Sequence, residues 1–277
     1  MEHEPPRRLV VNADDFGASE SINRAVLHAH CHGILTSASL MVNGPAFQQA
    51  VEMARAHPAL GVGLHLVLVC GASALSRETI PGLVDPEQRF SDSPVACGVR
   101  YFFQRSLRPQ LAAEMEAQFA KFQETGLLLD HVNGHLNMHL HPTVFSLLMQ
   151  KTSQWGIRRV RLTSDPLGLN LRLAKGKWID RLMHALIFRI LSSRARQVLR
   201  DRGIVHTDRV FGLLQNGAVD ERFLLALLEN LPAGSTELYS HPSDDTFKSE
   251  RDALVSPVVK QRVSAQNILL TRYQDLL

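Results

Sequence analysis

The 277-residue sequence lacks the features that define several protein classes. No apolar run approaches the ~18 consecutive residues that a membrane-spanning helix needs, which argues against a transmembrane protein. Only three cysteines occur, Cys31, Cys70 and Cys97, and none forms a CxxC pair, so a disulfide framework or thiolate zinc site is disfavoured. The polar N-terminus shows no signal-peptide pattern, and we expect a cytoplasmic protein. The 45% hydrophobic content and nearly balanced charge exclude intrinsic disorder.

Short apolar runs alternate with segments of helical periodicity along most of the chain, which predicts parallel strands joined by crossover helices. The predicted strands are Leu9–Val11, Ser37–Val42, Val62–Leu68, Leu127–Val132, Arg159–Thr163 and Thr236–Tyr239. The predicted helices are Ile22–Cys31, Ala46–Ala56, Leu111–Glu124, Thr143–Gln154 and Phe223–Leu231. Pro45 and Pro142 stand where a helix would begin, since proline is favoured at the first helical position.

Polar residues capable of chemistry follow almost every predicted strand. In a β/α barrel the carboxyl ends of the strands meet at one face, where the active site lies. No GxGxxG or GxxxxGK[ST] motif follows a strand, which disfavours a nucleotide-binding doubly wound fold. No internal repeat or linker is visible either. The sequence therefore predicts an α/β fold of the TIM-barrel type, built as a single domain over residues 1–277.

Two adjacent carboxylates, Asp14 and Asp15, follow the first predicted strand. Because side chains alternate along an extended backbone, the two cannot point the same way, and one could bind a metal while the other faces a water. Metal-assisted hydrolysis needs this division between a ligand and a base. An alternative interpretation is a pair of aspartates that form a turn or cap the next helix.

Histidine is abundant, with 13 copies, and several lie at or near strand ends. His65 interrupts an apolar strand, where a buried polar side chain needs a partner, and a structural hydrogen bond is the alternative to a metal-binding role. Four more histidines fall within eleven positions, and Gly134 with Pro142 indicates a strand end and loop there rather than a helix. The four are His131, His135, His139 and His141. Not all of them can bind one ion.

An aspartate and two histidines contributed by three strands predict a catalytic divalent-metal site with positions open to water, suited to Zn²⁺ or a similar ion. His241 follows a late strand, and a histidine there could protonate a leaving group near neutral pH. No GxSxG motif occurs, so a serine nucleophile has no support.

The motifs NADDFG, GVGLHL, HVNGHLNMHLHP and TELYSHP occur in this order between Val10 and Pro242. Together with the segment INRAVLHAHCHGILTSASLMVNGPAF, they resemble the YdjC-like carbohydrate deacetylases, a family that includes chitooligosaccharide deacetylases and has a distorted TIM-barrel-like fold. The stretch from Asn216 to Pro242 is most similar to the hopanoid-biosynthesis branch. The resemblance implies removal of the N-acetyl group from an amino sugar, and this branch implies an N-acetylglucosaminyl hopanoid lipid.

By this resemblance, Asp15, His65 and His135 hold one divalent ion, either Zn²⁺ or Mg²⁺. Asp14 is then the general base, and His241 is assigned as the general acid. Two residues depart from the pattern of many members: Asn133 stands where aspartate is frequent, and Asn137 where histidine is frequent. Such a change can alter the orientation of a ligand histidine and hence the affinity for the metal.

The region from Arg158 to Arg209 carries 13 Lys and Arg against 4 Asp and Glu. Within Trp178–Arg200, apolar residues recur at helical spacing, which is typical of a barrel helix with its apolar side in the core. The same pattern is typical of a helix at a membrane surface, where a lipid-linked sugar would lie. The long connection Val69–Arg108 is expected to be a substrate loop.

Three alternative functions compete with a deacetylase of a lipid-linked sugar. A deacetylase of soluble chitooligosaccharides would use the same residues, and so would another metal-dependent hydrolase such as a phosphoesterase, because a fold does not determine a reaction. A non-enzymatic protein could bind a membrane or a nucleic acid through the basic region. Since few aromatic residues are interleaved with that charge, we expect no nucleic-acid partner.

Overall fold

The computed structural model describes residues 5–163, 178–215 and 217–276. In this part of the chain, seven strands form one sheet, and all neighbouring strands run parallel. The strands are β1 (Arg7–Phe16), β2 (Ser37–Leu40), β3 (Gly61–Leu66), β4 (Leu129–Gly134), β5 (Arg209–Phe211), β6 (Gly234–Ser240) and β7 (Leu269–Leu270). Their order is β4-β3-β2-β1-β6-β5, with β7 paired to the start of β1.

The sheet curls into a half-barrel, which confirms the predicted α/β fold of the TIM-barrel type. Beyond β4, single parallel bridges join Val132 to Val160 and Arg159 to Val205. The strand predicted at Arg159–Thr163 is therefore reduced to isolated bridges. The sequence analysis did not predict β5 or β7, which are three and two residues long.

Helices connect the strands, as the alternating pattern predicts. They are α1 (Glu20–His32), α2 (Phe47–Ala56), α3 (Pro94–Phe103), α4 (Arg108–Glu124), α5 (Pro142–Gln150), α6 (Trp178–Asp201), α7 (Glu221–Glu229), α8 (Lys248–Val255) and α9 (Pro257–Ala265). In the described residues, no helix has both the length and the apolar character needed to cross a membrane.

Two local predictions are wrong. Pro45 precedes α2 by two residues, since Ala46 is the N-cap and Phe47 is the first helical residue. The connection Val69–Arg108 is not a loop throughout, since it contains α3. The Ser93 hydroxyl caps this helix, which then buries Cys97 and Tyr101.

The loops that follow β1 and β2 are fastened together beside the predicted site. The Asn23 side chain, which is fully buried in α1, accepts a hydrogen bond from the backbone N–H of Gly17 and donates one to the carbonyl of Ala46. Gly44 packs so tightly that a Cβ there would lie 2.2 Å from the Gly17 oxygen. These contacts hold the end of β1, and hence its two carboxylates, in one position.

Candidate metal centre and active site

The two carboxylates at the end of β1 point in different directions. The pairing of β1 with β2 shifts register between Ala13 and Phe16, so an irregularity of the strand coincides with Asp14 and Asp15. The backbone of Asp15 is left-handed, with φ of 61°, a conformation that aspartate tolerates better than most residues. Such irregularities frequently redirect side chains beside active sites. The two side chains have different partners: Asp14 bonds to Arg161, whereas Asp15 faces His65 and His135.

Three of the predicted residues form a cluster with the donor types of a divalent-metal site. His65 Nε2 lies 3.3 Å from Asp15 Oδ1, and His135 Nδ1 lies 3.0 Å from the same oxygen. One potential ligand atom from each side chain lies within 4.8 Å of the other two. A carboxylate and two imidazoles fit Zn²⁺ or another borderline divalent ion. The residues present therefore fit the implied metal.

The ionisation of Asp15 suits a ligand role. Burial opposes the charge on this carboxylate, but the hydrogen bonds with His135 and His65 hold its pKa well below the usual value. A carboxylate that stays ionised is ready to bind a cation.

Asn133 connects His65 to Asp14. His65 on β3 is paired with Asn133 on β4, and His65 Nδ1 donates a hydrogen bond to Asn133 Oδ1 at 2.7 Å. This bond places the proton on Nδ1, so that Nε2 is free to face Asp15. The amide nitrogen of Asn133 donates to Asp14 Oδ1 at 3.2 Å and to the Ser39 hydroxyl at 2.8 Å. One carboxamide therefore orients a candidate ligand and the candidate base together.

Arg161 is a buried residue of the candidate site that the sequence pattern did not reveal. Its guanidinium is fully buried and makes two hydrogen bonds with Asp14, at 2.7 and 2.9 Å, and two with Glu237. It also lies 4.3 Å from the centre of the Tyr239 ring. A single charge between Val160 and Leu162, inside a predicted strand, was the available signal, because a buried charge needs a partner.

The pairing with Arg161 sets the charge of Asp14. Burial opposes ionisation of the Asp14 carboxyl, but the adjacent guanidinium lowers its pKa below the ordinary range. Glu237 is held in turn by the Tyr273 hydroxyl.

Asp14, His65, His135 and His241 line one cavity of about 430 Å³. His241 directly follows β6, and its backbone N–H is held by the buried Glu250 carboxylate at 2.6 Å. The His241 ring packs against the rings of Tyr239 and Phe247. Much of the remaining cavity wall is apolar and includes Val95, Leu136, Met138, Ile187, Phe188 and Leu191.

The other histidines of the fourth-strand motif are held by hydrogen bonds away from the cluster, and one of them, His141, also lines the cavity. His131 is buried and bonded to Asp130 and Ser39. His139 bonds to the Arg161 carbonyl, and burial lowers its pKa to about 3, which keeps the ring neutral. His141 bonds to the Gly98 carbonyl on α3. Of the four, only His135 joins the cluster with Asp15 and His65.

The segment from His135 to Leu140 consists of short 3₁₀ turns rather than a continuous helix. Leu136 and Asn137 both have left-handed backbones, with φ of 50° and 57°. This agrees with the predicted strand end and loop. Asn137 Oδ1 accepts a hydrogen bond from the Thr163 hydroxyl at 2.7 Å, so this departure from the family pattern stabilises the loop.

Comparison of the sequence with known protein families assigns the chain to one family. The model of the YdjC-like proteins matches residues 8–265, and the chain belongs to this family. The structure also resembles a crystal structure of a protein from Enterococcus faecalis, with a TM-score of 0.75 and 22% identity. That alignment covers 97% of this chain and 98% of the other, and it supports the fold alone.

Curated relatives carry the names of deacetylases. A carbohydrate deacetylase from Brevibacillus brevis is 38% identical over 54% of this chain and 57% of its own length. Another from Thermoanaerobacter pseudethanolicus is 26% identical over 97% of this chain and 98% of its own. A chitooligosaccharide deacetylase from Salmonella paratyphi B is 30% identical over 69% of this chain and 77% of its own length. The first match thus spans little more than half of that relative.

Proposed function

We propose that this protein is a metal-dependent hydrolase that removes the N-acetyl group from an acetylated amino sugar. The observation that carries the proposal is the cluster of Asp15, His65 and His135, because its two histidines line the same cavity as Asp14. The names of the curated relatives support the same reaction. A divalent ion held by the cluster would polarise the acetyl carbonyl and lower the pKa of a bound water.

Asp14 is proposed as the general base. The Arg161 guanidinium keeps this carboxylate ionised and fixes its direction. Oδ1 also accepts from Asn12, so we assign the proton of the attacking water to Oδ2, which accepts one bond from Arg161. Asn133 adds a further hydrogen bond from the side of β4. The base is thus positioned before the substrate arrives.

His241 is proposed as the general acid. An amide nitrogen leaves as an amine only when it is protonated, because the amide anion is far too basic to leave. The His241 ring reaches the same cavity as Asp14 from the end of β6, on a backbone held by Glu250. Asp14 and His241 therefore line one cavity as a candidate pair of base and acid.

The finer proposal concerns the substrate. The apolar part of the cavity suits a sugar that carries a lipid, and the resemblance of the C-terminal motifs favours an N-acetylglucosaminyl hopanoid. The enzyme would then act at the cytoplasmic side of the membrane, with the helix α6 as a contact. The side chains of residues 178–185, including Trp178 and Leu182, lie outside the part of the chain that the structure describes.

The proposal is tested by acetate release from metal-stripped protein, with and without added Zn²⁺ or Mg²⁺. We expect metal-dependent release from an N-acetylglucosaminyl lipid, and slower release from a soluble chitooligosaccharide. Asp14→Asn should retain bound metal and lose about 100- to 10,000-fold in turnover, the usual contribution of a general base. Folded protein that releases no acetate with either metal would refute the deacetylase. Equal rates on both substrates would refute the lipid preference.

A further inference from the structure

Two helices on either side of the candidate active site expose apolar side chains at its mouth. From α3, Pro94 and Val95 line the 430 Å³ cavity, and from α6, Ile187, Phe188 and Leu191 line it. The two helices therefore border one opening. From the sequence, only α6 was predicted to contact a membrane, and the segment that forms α3 was expected to belong to a loop.

The outward side of α3 is unusually apolar for a surface. Val95, Val99, Phe102 and Phe103 occupy one side of the helix, and Val95 and Phe103 are 78% and 72% exposed. The Phe102 and Phe103 rings contact each other edge to face. All four side chains are at least half exposed, whereas the opposite side of the helix buries Cys97 and Tyr101.

The exposed part of α6 has the same character. Leu186, Ile187 and Ile190 lie on adjacent turns and are 58%, 52% and 48% exposed. Among the described residues, twelve large apolar side chains are exposed, and eight of them belong to α3, α6 or the Leu136 turn of the same cavity. Scattered exposed apolar residues are ordinary, but a concentration around one opening marks an interaction site.

The charges beside these residues identify the partner. Residues 94–108 contain three arginines, residues 186–200 contain four, and neither segment contains an acidic residue. Arg105 is exposed between α3 and α4, Arg108 is exposed at the start of α4, and Arg189 and Arg194 are exposed on α6. Apolar side chains flanked by arginines match the interface of an anionic bilayer, where the former enter the acyl region and the latter meet the headgroups.

We infer that α3 and α6 together form a docking surface for an anionic lipid bilayer, with the active-site opening between them. A second copy of the chain fits less well, because a two-fold contact through this surface would bring arginines against arginines. The benefit of docking rests on the proposed lipid-linked substrate, since the cavity would open directly onto the membrane. The binding itself does not depend on deacetylation.

The test is cosedimentation of the full chain with vesicles of phosphatidylcholine, with and without phosphatidylglycerol. We expect binding that needs the anionic lipid and falls at least tenfold in Val99→Ser/Phe103→Ser and in Leu186→Ser/Ile190→Ser. None of these four residues lines the candidate active site. Leu128→Ser is the matched control, because Leu128 is 71% exposed but lies at the opposite, amino end of β4.

Several outcomes would overturn the docking surface. The first is that the folded wild type does not bind anionic vesicles. The second is that both double variants bind as the wild type does, and the third is that the Leu128→Ser control loses vesicle binding to the same extent. A dimer that becomes a monomer in Val99→Ser/Phe103→Ser would assign the surface to self-association instead. Acetate release from a soluble chitooligosaccharide, measured in parallel, tests the proposed function separately, and we expect it to be unchanged in both double variants.

Discussion

Asn133 offers the sharpest test of how the candidate metal centre is oriented. Its side-chain oxygen accepts from His65 Nδ1 at 2.7 Å, and its nitrogen donates to Asp14 and Ser39. Asn133→Ala removes all three bonds and leaves the buried His65 ring free to turn or to change tautomer. Because partners of this kind typically contribute 10- to 100-fold to metal affinity, we expect a loss of about 1.4–2.7 kcal/mol in binding free energy.

A second variant separates orientation from charge. Asn133→Asp keeps an acceptor for His65 Nδ1. It also replaces the amide nitrogen that donates to Asp14 Oδ1 at 3.2 Å with a carboxylate oxygen. We expect this variant to bind metal within a few-fold of the wild type and to retain more turnover than Asn133→Ala, because aspartate, which is frequent at this position in the family, still accepts from His65 Nδ1. Asn137→Asp is the control, since it adds the same charge elsewhere on the cavity wall.

The assay is isothermal titration of the metal-stripped protein with Zn²⁺, followed by acetate release at saturating metal. Circular dichroism would verify that each variant is folded. Wild-type affinity for Zn²⁺ in folded Asn133→Ala would refute the argument that this carboxamide orients His65. The same loss of affinity in Asn137→Asp would show that the effect is not specific to position 133.

Three further predictions concern the buried charges and histidines. Arg161→Met leaves Asp14 and Glu237 buried without their cation, and we expect a loss of roughly 3–5 kcal/mol in urea unfolding; an unchanged midpoint would contradict the pairing. His135→Ala should lose both metal and turnover, and full metal occupancy by elemental analysis would remove His135 from the ligand set. His139 has a folded pKa of about 3, below its unfolded value near 6.5, so its contribution to stability is lost as pH falls from 6.5 towards 3. The metal-free wild type should therefore lose up to about 1.4 kcal/mol more per pH unit in this range than His139→Gln, and parallel stability curves would refute this.

The location of the candidate site could be predicted because parallel strands end at one face. Asp14, Asp15, His65, His135 and His241 all lie at or beside strand ends, and the structure brings them to one region through its parallel sheet. The strand-end pattern by itself did not indicate which histidine of the fourth-strand motif joins the cluster with Asp15 and His65. That depends on the left-handed turn after His135, which local periodicity does not reveal.

Buried polar partners were harder to predict from the chain alone. Arg161 has no motif, and its role depends on Asp14 and Glu237, which are 147 and 76 positions away. The role of Asn133 likewise depends on its register with His65 across two strands. The segment that contains α3 was missed for a different reason. Its many glycines, prolines and serines suggest a loop, while Ser93 and Pro94 in fact start a helix.

The candidate ligands are far apart along the chain, which links metal binding to the assembly of the whole sheet. Asp15 and His135 are 120 positions apart, and His65 comes from a third strand between them in sequence. An unfolded or partly paired chain cannot present the three groups together, so an ion would bind the native state almost exclusively. At a free concentration 100 times the dissociation constant, such an ion stabilises the fold by about 2.7 kcal/mol. The availability of metal in the cell would then set the lifetime of the folded protein as well as its activity.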